Sequence, residues 1–194
     1  MTRPLPADVN RRGELLRVAA RLFREKGYDG TTTRDIADAV GMRSGSPFYH
    51  FKSKQDLLAS VMEEGLLASL PAAEDIASGS LAPRRKFEAM ARAHLEMVLG
   101  EGHDFIPVLL YEWRCLSPEL KERVRAQKER YDALWQIVIA ELDTAGLLRT
   151  DPKSARLLLV GALNYSVQWY QPSADGPVSQ LARKVSALFL PPEP

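Results

Sequence analysis

TTTRDIADAVGMRSGSPFYHFKSKQDLL, residues 31–58, places a short amphipathic segment, two glycines, a proline and the run Phe-Tyr-His-Phe within 28 positions. Thr32 is a candidate N-cap with Asp35 three residues on, Ile36, Ala37 and Val40 share one face, and Gly41 supplies a stop. Pro47 is tolerated only in the first turn of a helix, where amide hydrogens lack intrahelical partners, so a further helix begins at residues 44–46 with Ser44 or Ser46 as its cap. Gly45 removes a side chain where backbone must approach another chain closely. Pro47 and Phe51, four apart, anchor this helix to a core and leave Ser46, Tyr49 and His50 outward. Helix, glycine turn and second short helix form the helix-turn-helix pattern, whose second helix reads base edges in the DNA major groove.

The rest of the chain continues in helices. No stretch alternates with period 2, as a half-buried strand would, and the fold class predicted is all-α. A first helix spans residues 9–26, with Leu15, Ala19, Leu22 and Phe23 inward, Arg11, Arg12, Arg17, Arg21 and Arg24 largely elsewhere, and Gly27 as its stop. A fourth helix, capped near Ser53, carries Leu57, Val61 and Met62 and is expected to close before Pro71, with PAAEDIASGSLAP as a connection. Further helices are expected from Pro83, from an Asp104 cap, from Ser117-Pro118, from Asp151-Pro152 over residues 152–170, and from Pro177. The predicted domains are residues 1–54 as a DNA-binding module, 55–70 as a connecting helix, and 71–194 as a second helical domain.

Composition agrees with this division. The formal net charge is +1, yet residues 1–54 hold 11 Lys or Arg against 6 Asp or Glu, while residues 55–194 hold 15 against 19. A basic front is the footprint of a module that neutralises phosphates and releases their counterions. The single cysteine, Cys115, excludes an intramolecular disulfide, and the first residues lack the apolar run of a secretory signal, so a cytoplasmic protein is expected. No run of about 18 apolar residues predicts a membrane span.

The stretch quoted above resembles the N-terminal module of the TetR family of bacterial transcriptional regulators, from about residue 11 to residue 70. The resemblance implies that Thr33 and Lys54, at the starts of the second and fourth helices, hold phosphates. It also implies that Arg43, Ser44, Gly45, Ser46, Tyr49 and His50 face the duplex. Phe48 stands where the family commonly has a tyrosine whose hydroxyl meets a phosphate, so that contact is lost, and Pro47 replaces the usual leucine.

Residues 111–148, with the stretch ARLLLVGALNYSVQWYQP after them, are similar to TetR-type proteins that respond to coenzyme A thioesters in fatty-acid, aromatic-acid and sterol breakdown. Phe87, His94, Met97, Trp113, Tyr131, Trp135 and Trp169 are candidate apolar walls of an effector pocket, and Arg114, Arg156, Asn164 and Gln168 candidate polar contacts. Aromatic residues at helical spacing serve equally as core, and His94 on an apolar face suits a satisfied core histidine. Helices 152–170 and 177–190 carry more apolar surface than one core absorbs. This predicts a homodimer through a four-helix interface that includes Leu181, Val185 and Leu188.

The function expected is a repressor released from a palindromic operator by a small molecule, an acyl-CoA thioester in the narrower resemblance. A multidrug-sensing repressor of an efflux pump is the alternative effector class, and a DNA-binding protein without small-molecule input is another. Catalysis has little support: the histidines at 50, 94 and 103 lack ligand spacing, and Cys115 has no identifiable base. No metal or cofactor is expected.

Overall fold

The computed structural model describes residues 6–42, 50–100 and 104–192. Every regular element among them is helical: α1 (Pro6–Lys26), α2 (Thr33–Ala39), α3 (Lys54–Ser78), α4 (Pro83–Leu99), α5 (Phe105–Glu112), α6 (Pro118–Thr144), α7 (Pro152–Tyr165), the one-turn α8 (Pro172–Asp175) and α9 (Val178–Phe189). Two 3₁₀ turns, Trp113–Cys115 and Ser166–Gln168, follow α5 and α7. The fourth helix of the sequence reading is α3 in this numbering.

Two compact units result, one of residues 1–65 and 101–126, the other of residues 66–100 and 127–194. In the first, α1 packs on α2 and α5, and Leu15, Leu16, Ala19, Phe23, Ile36 and Phe51 are buried. Gly65 lets α3 approach α5 closely, since a Cβ there would stand 2.6 Å from Cβ of Phe105.

In the second unit α4 packs chiefly on α9 and also on α7, around Phe87, Met90, Leu95, Trp135, Val138 and Leu142. Phe87 and Trp135 meet edge to face with centroids 6.2 Å apart. Lys86 is buried among these apolar residues, where its ammonium donates to the Ala77 carbonyl at 3.0 Å and to Glu141 at 2.6 Å.

The start signals act as read. Ser53 accepts from the Asp56 amide, Ser117 from the Leu120 amide and Asp151 from the Ser154 amide, at 3.0, 3.4 and 3.0 Å. Three expectations need correction. The helix expected to close before Pro71 runs on to Ser78. Proline removes only the hydrogen bond to the Leu67 carbonyl, and both residues lie on the exposed side, where water can serve that carbonyl. Leu66, Leu70, Ala73 and Ala77 meanwhile continue the buried stripe. Asp104 precedes α5 without capping it, because its carboxylate instead takes the Arg24 guanidinium at 2.7 Å. The helix expected over residues 152–170 ends at Tyr165 and tightens into the second 3₁₀ turn.

Candidate nucleic-acid interface and effector core

At the front, the residues around α2 are held from several sides. Gly27, with φ +72°, ends α1 in the left-handed region that glycine enters without steric cost. The buried Thr31 hydroxyl donates to the carbonyls of Gly27 and Leu22, 2.8 and 3.1 Å away. Thr32 then caps α2 in a complete capping box: its hydroxyl accepts from the Asp35 amide at 3.1 Å, and the Asp35 carboxylate accepts from the Thr32 amide at 2.7 Å. The Thr32 hydroxyl and amide hold the Asp35 carboxyl below its ordinary range. At the other end Gly41, φ +67°, closes α2 with its own amide on the Asp38 carbonyl and the Met42 amide on the Ala37 carbonyl.

Thr33 opens α2 and is half-buried. Lys54 opens α3, and its ammonium donates to the carbonyls of Tyr28 and Thr31, each at 2.7 Å, while lying 4.0 Å from the centre of the Tyr28 ring. His50 is half-buried, its ring 6.3 Å from that of the buried Phe51, which the Arg12 guanidinium covers at 5.2 Å. Arg43, Ser44, Gly45, Ser46 and Tyr49 lie outside the described residues, as do Pro47, Phe48 and His103. Arg11, Arg12, Arg17, Arg21 and Arg24 are all exposed on α1.

An ion-pair group that the sequence reading missed fastens α3 to the start of α6. Arg123 donates to Asp56 at 2.7 Å and to Glu63 at 2.8 Å, with the Ser60 hydroxyl at 3.3 Å. Burial pulls the Asp56 carboxyl upward, but Arg123 and the Lys52 amide together outweigh it and leave the group below its usual range. Spacing along one helix could not reveal this group, because its members are about 60 residues apart in the chain.

In the second unit four of the predicted effector residues converge. His94 Nε2 lies 3.0 Å from Asn164 Oδ1, and its Nδ1 lies 3.1 Å from the Tyr131 hydroxyl and 3.4 Å from the Trp135 indole nitrogen. An indole N–H can only donate, so Nδ1 bears the lone pair and Nε2 carries the proton given to Asn164. Burial, only partly offset by the Asn164 hydrogen bond, lowers the His94 pKa to about 4. Burial likewise raises the Tyr131 phenol. Phe87 joins through its edge contact with Trp135. The cluster is a neutral polar network within an apolar core; no buried side-chain N or O among the described residues lacks a partner.

Four other predicted residues stand elsewhere. Trp113 and Arg114 belong to the first unit, half-buried and exposed respectively. Arg156 is half-buried on α7, and Trp169 is exposed. Of the three residues expected at a dimer seam, Leu181 is buried within its own chain, Val185 is half-buried and Leu188 is 73% exposed. On α7, Leu157, Leu158 and Tyr165 are exposed around Gly161 and Ala162, an apolar outward face opposite the buried Ala155, Leu159 and Leu163. On the other side of α7, a cavity of about 130 Å³ is lined by Phe87, Ile139, Leu159, Leu188 and Phe189.

Among the described residues no group of His, Cys, Asp or Glu could hold a metal ion, and no helix is long and apolar enough to cross a membrane. The Cys115 thiol is raised by burial and by its hydrogen bond to Glu112, the reverse of what a nucleophile needs.

Comparison with known proteins covers both parts of the chain. Residues 15–61 match the family described as bacterial regulatory proteins, tetR family, and residues 80–191 match the tetracyclin repressor-like C-terminal domain. The HTH-type transcriptional repressor KstR2 of Rhodococcus jostii is 29% identical over 96% of this chain and 95% of its own length. Among solved structures, the superantigen PfiT is 36% identical with a TM-score of 0.80, covering 99% of this chain and 100% of that one. AibR, solved in complex with isovaleryl coenzyme A and operator DNA, has the same fold, with a TM-score of 0.85 at 23% identity over 94% of this chain and 100% of its own.

Proposed function

The chain belongs to the TetR family of bacterial transcription regulators, and from that premise we propose that it is a repressor whose homodimer leaves a palindromic operator when an acyl-CoA thioester binds. It is a ligand-responsive DNA-binding regulator and not an enzyme, in keeping with its repressor relatives. Residues 1–54 contact DNA, residues 55–70 connect, and residues 71–194 sense the effector and dimerise.

The observation that carries the effector class is likeness along nearly the whole chain to a KstR2 repressor, joined by a shared fold with a regulator solved holding isovaleryl coenzyme A and operator DNA. The name of PfiT denotes an activity outside gene control, but the regulatory matches at both ends of the chain support regulation. Phe87, Trp135 and the His94–Tyr131–Asn164 network form the apolar and polar floor of the sensing domain. Arg156 and Trp169 are the proposed contacts of the second unit for the thioester and its phosphates. A dimer is supported by the apolar outward face of α7, which a single chain leaves in water.

Thermal-shift measurement against acyl-CoAs, free coenzyme A and free acids tests the effector class. A ligand that binds only the folded form at 100 times its Kd raises stability by about 2.7 kcal/mol. Thioesters should shift the transition and free acids should not. A shift by unrelated hydrophobic drugs alone would favour a multidrug sensor, and no shift by any small molecule would favour a regulator without an effector.

A further inference from the structure

We infer that the groove between α4 and α9 is a binding site for a small molecule bearing a diphosphate, held by Arg85, Arg92 and Arg183. It goes beyond the regulator reading and is independent of the acyl-CoA proposal, because the groove lies on the face of α4 opposite the His94 network.

The groove has a volume of about 220 Å³ and is lined by Arg85, Glu88, Ala89 and Arg92 of α4 and by Ser179 and Arg183 of α9, all in the second unit. Positions 85, 88, 89 and 92 share the side of α4 turned away from the buried Phe87, Met90, Ala91 and His94. On α9, Arg183 stands roughly 140° around the axis from the exposed Leu188, which leaves the groove clear of the proposed dimer seam. Three guanidiniums against the one carboxylate of Glu88 make the groove net positive. Their ties within the chain are weak. Arg85 meets Glu88 at 3.3 Å and Arg92 meets Glu96 at 3.9 Å, exposed pairs along one helix that contribute little. Arg183 makes no hydrogen bond or ion pair with another described residue. The guanidinium forks are thus open to a ligand, and their planar geometry suits the paired oxygens of a phosphate. Arg85 and Arg92 are two turns apart, about 10 Å along the axis, so one phosphate cannot sit squarely on both, whereas a diphosphate presents oxygens at either end. Its size fits as well: the groove has room for about seven waters at about 30 Å³ each, close to the roughly nine heavy atoms of a diphosphate. The half-buried Ser179 adds a hydroxyl donor from the second helix.

Calorimetric titration of the full-length protein with inorganic pyrophosphate at fixed ionic strength reads the site. The wild-type protein should bind with a Kd below about 1 mM. Arg92→Gln and Arg183→Gln, at exposed positions where the fold is not at risk, should each weaken binding about tenfold. Glu88→Gln removes the opposing carboxylate and should tighten binding about threefold. Arg149→Gln, at an exposed arginine outside the groove, should change nothing. Free nucleotides and coenzyme A both carry a diphosphate, so parallel titrations with ADP and with coenzyme A distinguish the sources: the natural class is the one whose affinity falls in Arg183→Gln. Pyrophosphate binding that Arg183→Gln and Glu88→Gln leave unaltered would put the anion on the basic front of the chain and overturn the inference. Absence of binding up to about 10 mM would overturn it equally. Either failure leaves the thioester reading standing, since release of operator DNA by acyl-CoA is measured separately.

Discussion

His94 on α4 and Asn164 on α7 meet with Nε2 3.0 Å from Oδ1, so the proton of a neutral imidazole joins two helices inside the second unit. Burial keeps that ring neutral to a pKa of about 4, against 6.5 for an unperturbed histidine. The unfolded chain therefore binds a proton that the folded chain refuses between those two values. The contribution is fully present above pH 6.5 and is lost as pH falls toward 4, at about 1.4 kcal/mol per pH unit. Urea unfolding at pH 7, 6, 5 and 4.5 should show this decline, and His94→Gln should flatten it. An equally steep decline in the variant would place its source elsewhere.

The Asp56–Arg123 pair should act at lower pH. The folded-state carboxyl of Asp56 lies below its ordinary value, so its stabilisation is present above the unfolded pKa near 4 and fades as pH falls further. Arg123 is partly exposed, and a double-mutant cycle with Asp56→Asn and Arg123→Met should give a coupling of about 1 kcal/mol at neutral pH. The coupling should shrink toward pH 3. A pair that contributes nothing at any pH would reduce Arg123 to a solvated surface residue.

Gly65→Ala should destabilise by about 1–3 kcal/mol, as overpacking between α3 and α5 does. The added Cβ would meet Phe105 at 2.6 Å and Ile106 at 3.0 Å, so the two helices must part for it. Chemical denaturation reads the loss directly. A neutral substitution would mean that α5 yields without cost.

The proposed dimer is tested on the outward face of α7. Leu158 is 64% exposed in the single chain, so Leu158→Asp should leave the protomer folded while sedimentation shifts from dimer to monomer and operator affinity drops. Leu181→Asp, at a residue buried against its own chain, should unfold the protomer instead. Persistence of the dimer in Leu158→Asp at micromolar concentration would move the seam off α7.

Much of the fold was legible because its signals are local. Ser53, Ser117-Pro118 and Asp151-Pro152 announce helix starts by side chains that cap the amide three residues on, and Gly41 and Gly146 announce ends by a left-handed turn. Pro71 misled because a proline on the exposed side of a helix removes only one hydrogen bond, and the buried stripe around it settles the outcome. The convergence of His94, Tyr131, Trp135 and Asn164 was foreseen as membership of a pocket or core without its geometry, since periodicity places a residue on a face and does not name the partner across from it. Leu181 is placed at a dimer seam because the last two helices carry more apolar surface than one core absorbs, and that excess does not say which of their residues meet their own chain and which a second copy. The hold of Lys54 on Tyr28 and Thr31 was invisible for the same reason: nothing in a lysine at the start of a helix reveals that its partners are two carbonyls of an earlier turn.

The central claim, a DNA-binding repressor governed by a thioester, is tested most directly by fluorescence anisotropy of a labelled operator selected from random duplexes. Bound protein is titrated with a branched short-chain acyl-CoA, then in parallel with coenzyme A and the free acid. The account predicts a palindromic selected site and release by the thioester alone, with a tenfold weakening of operator affinity corresponding to about 1.4 kcal/mol of coupling. Binding that stays unchanged under every thioester while a hydrophobic drug or dye releases the DNA would contradict it.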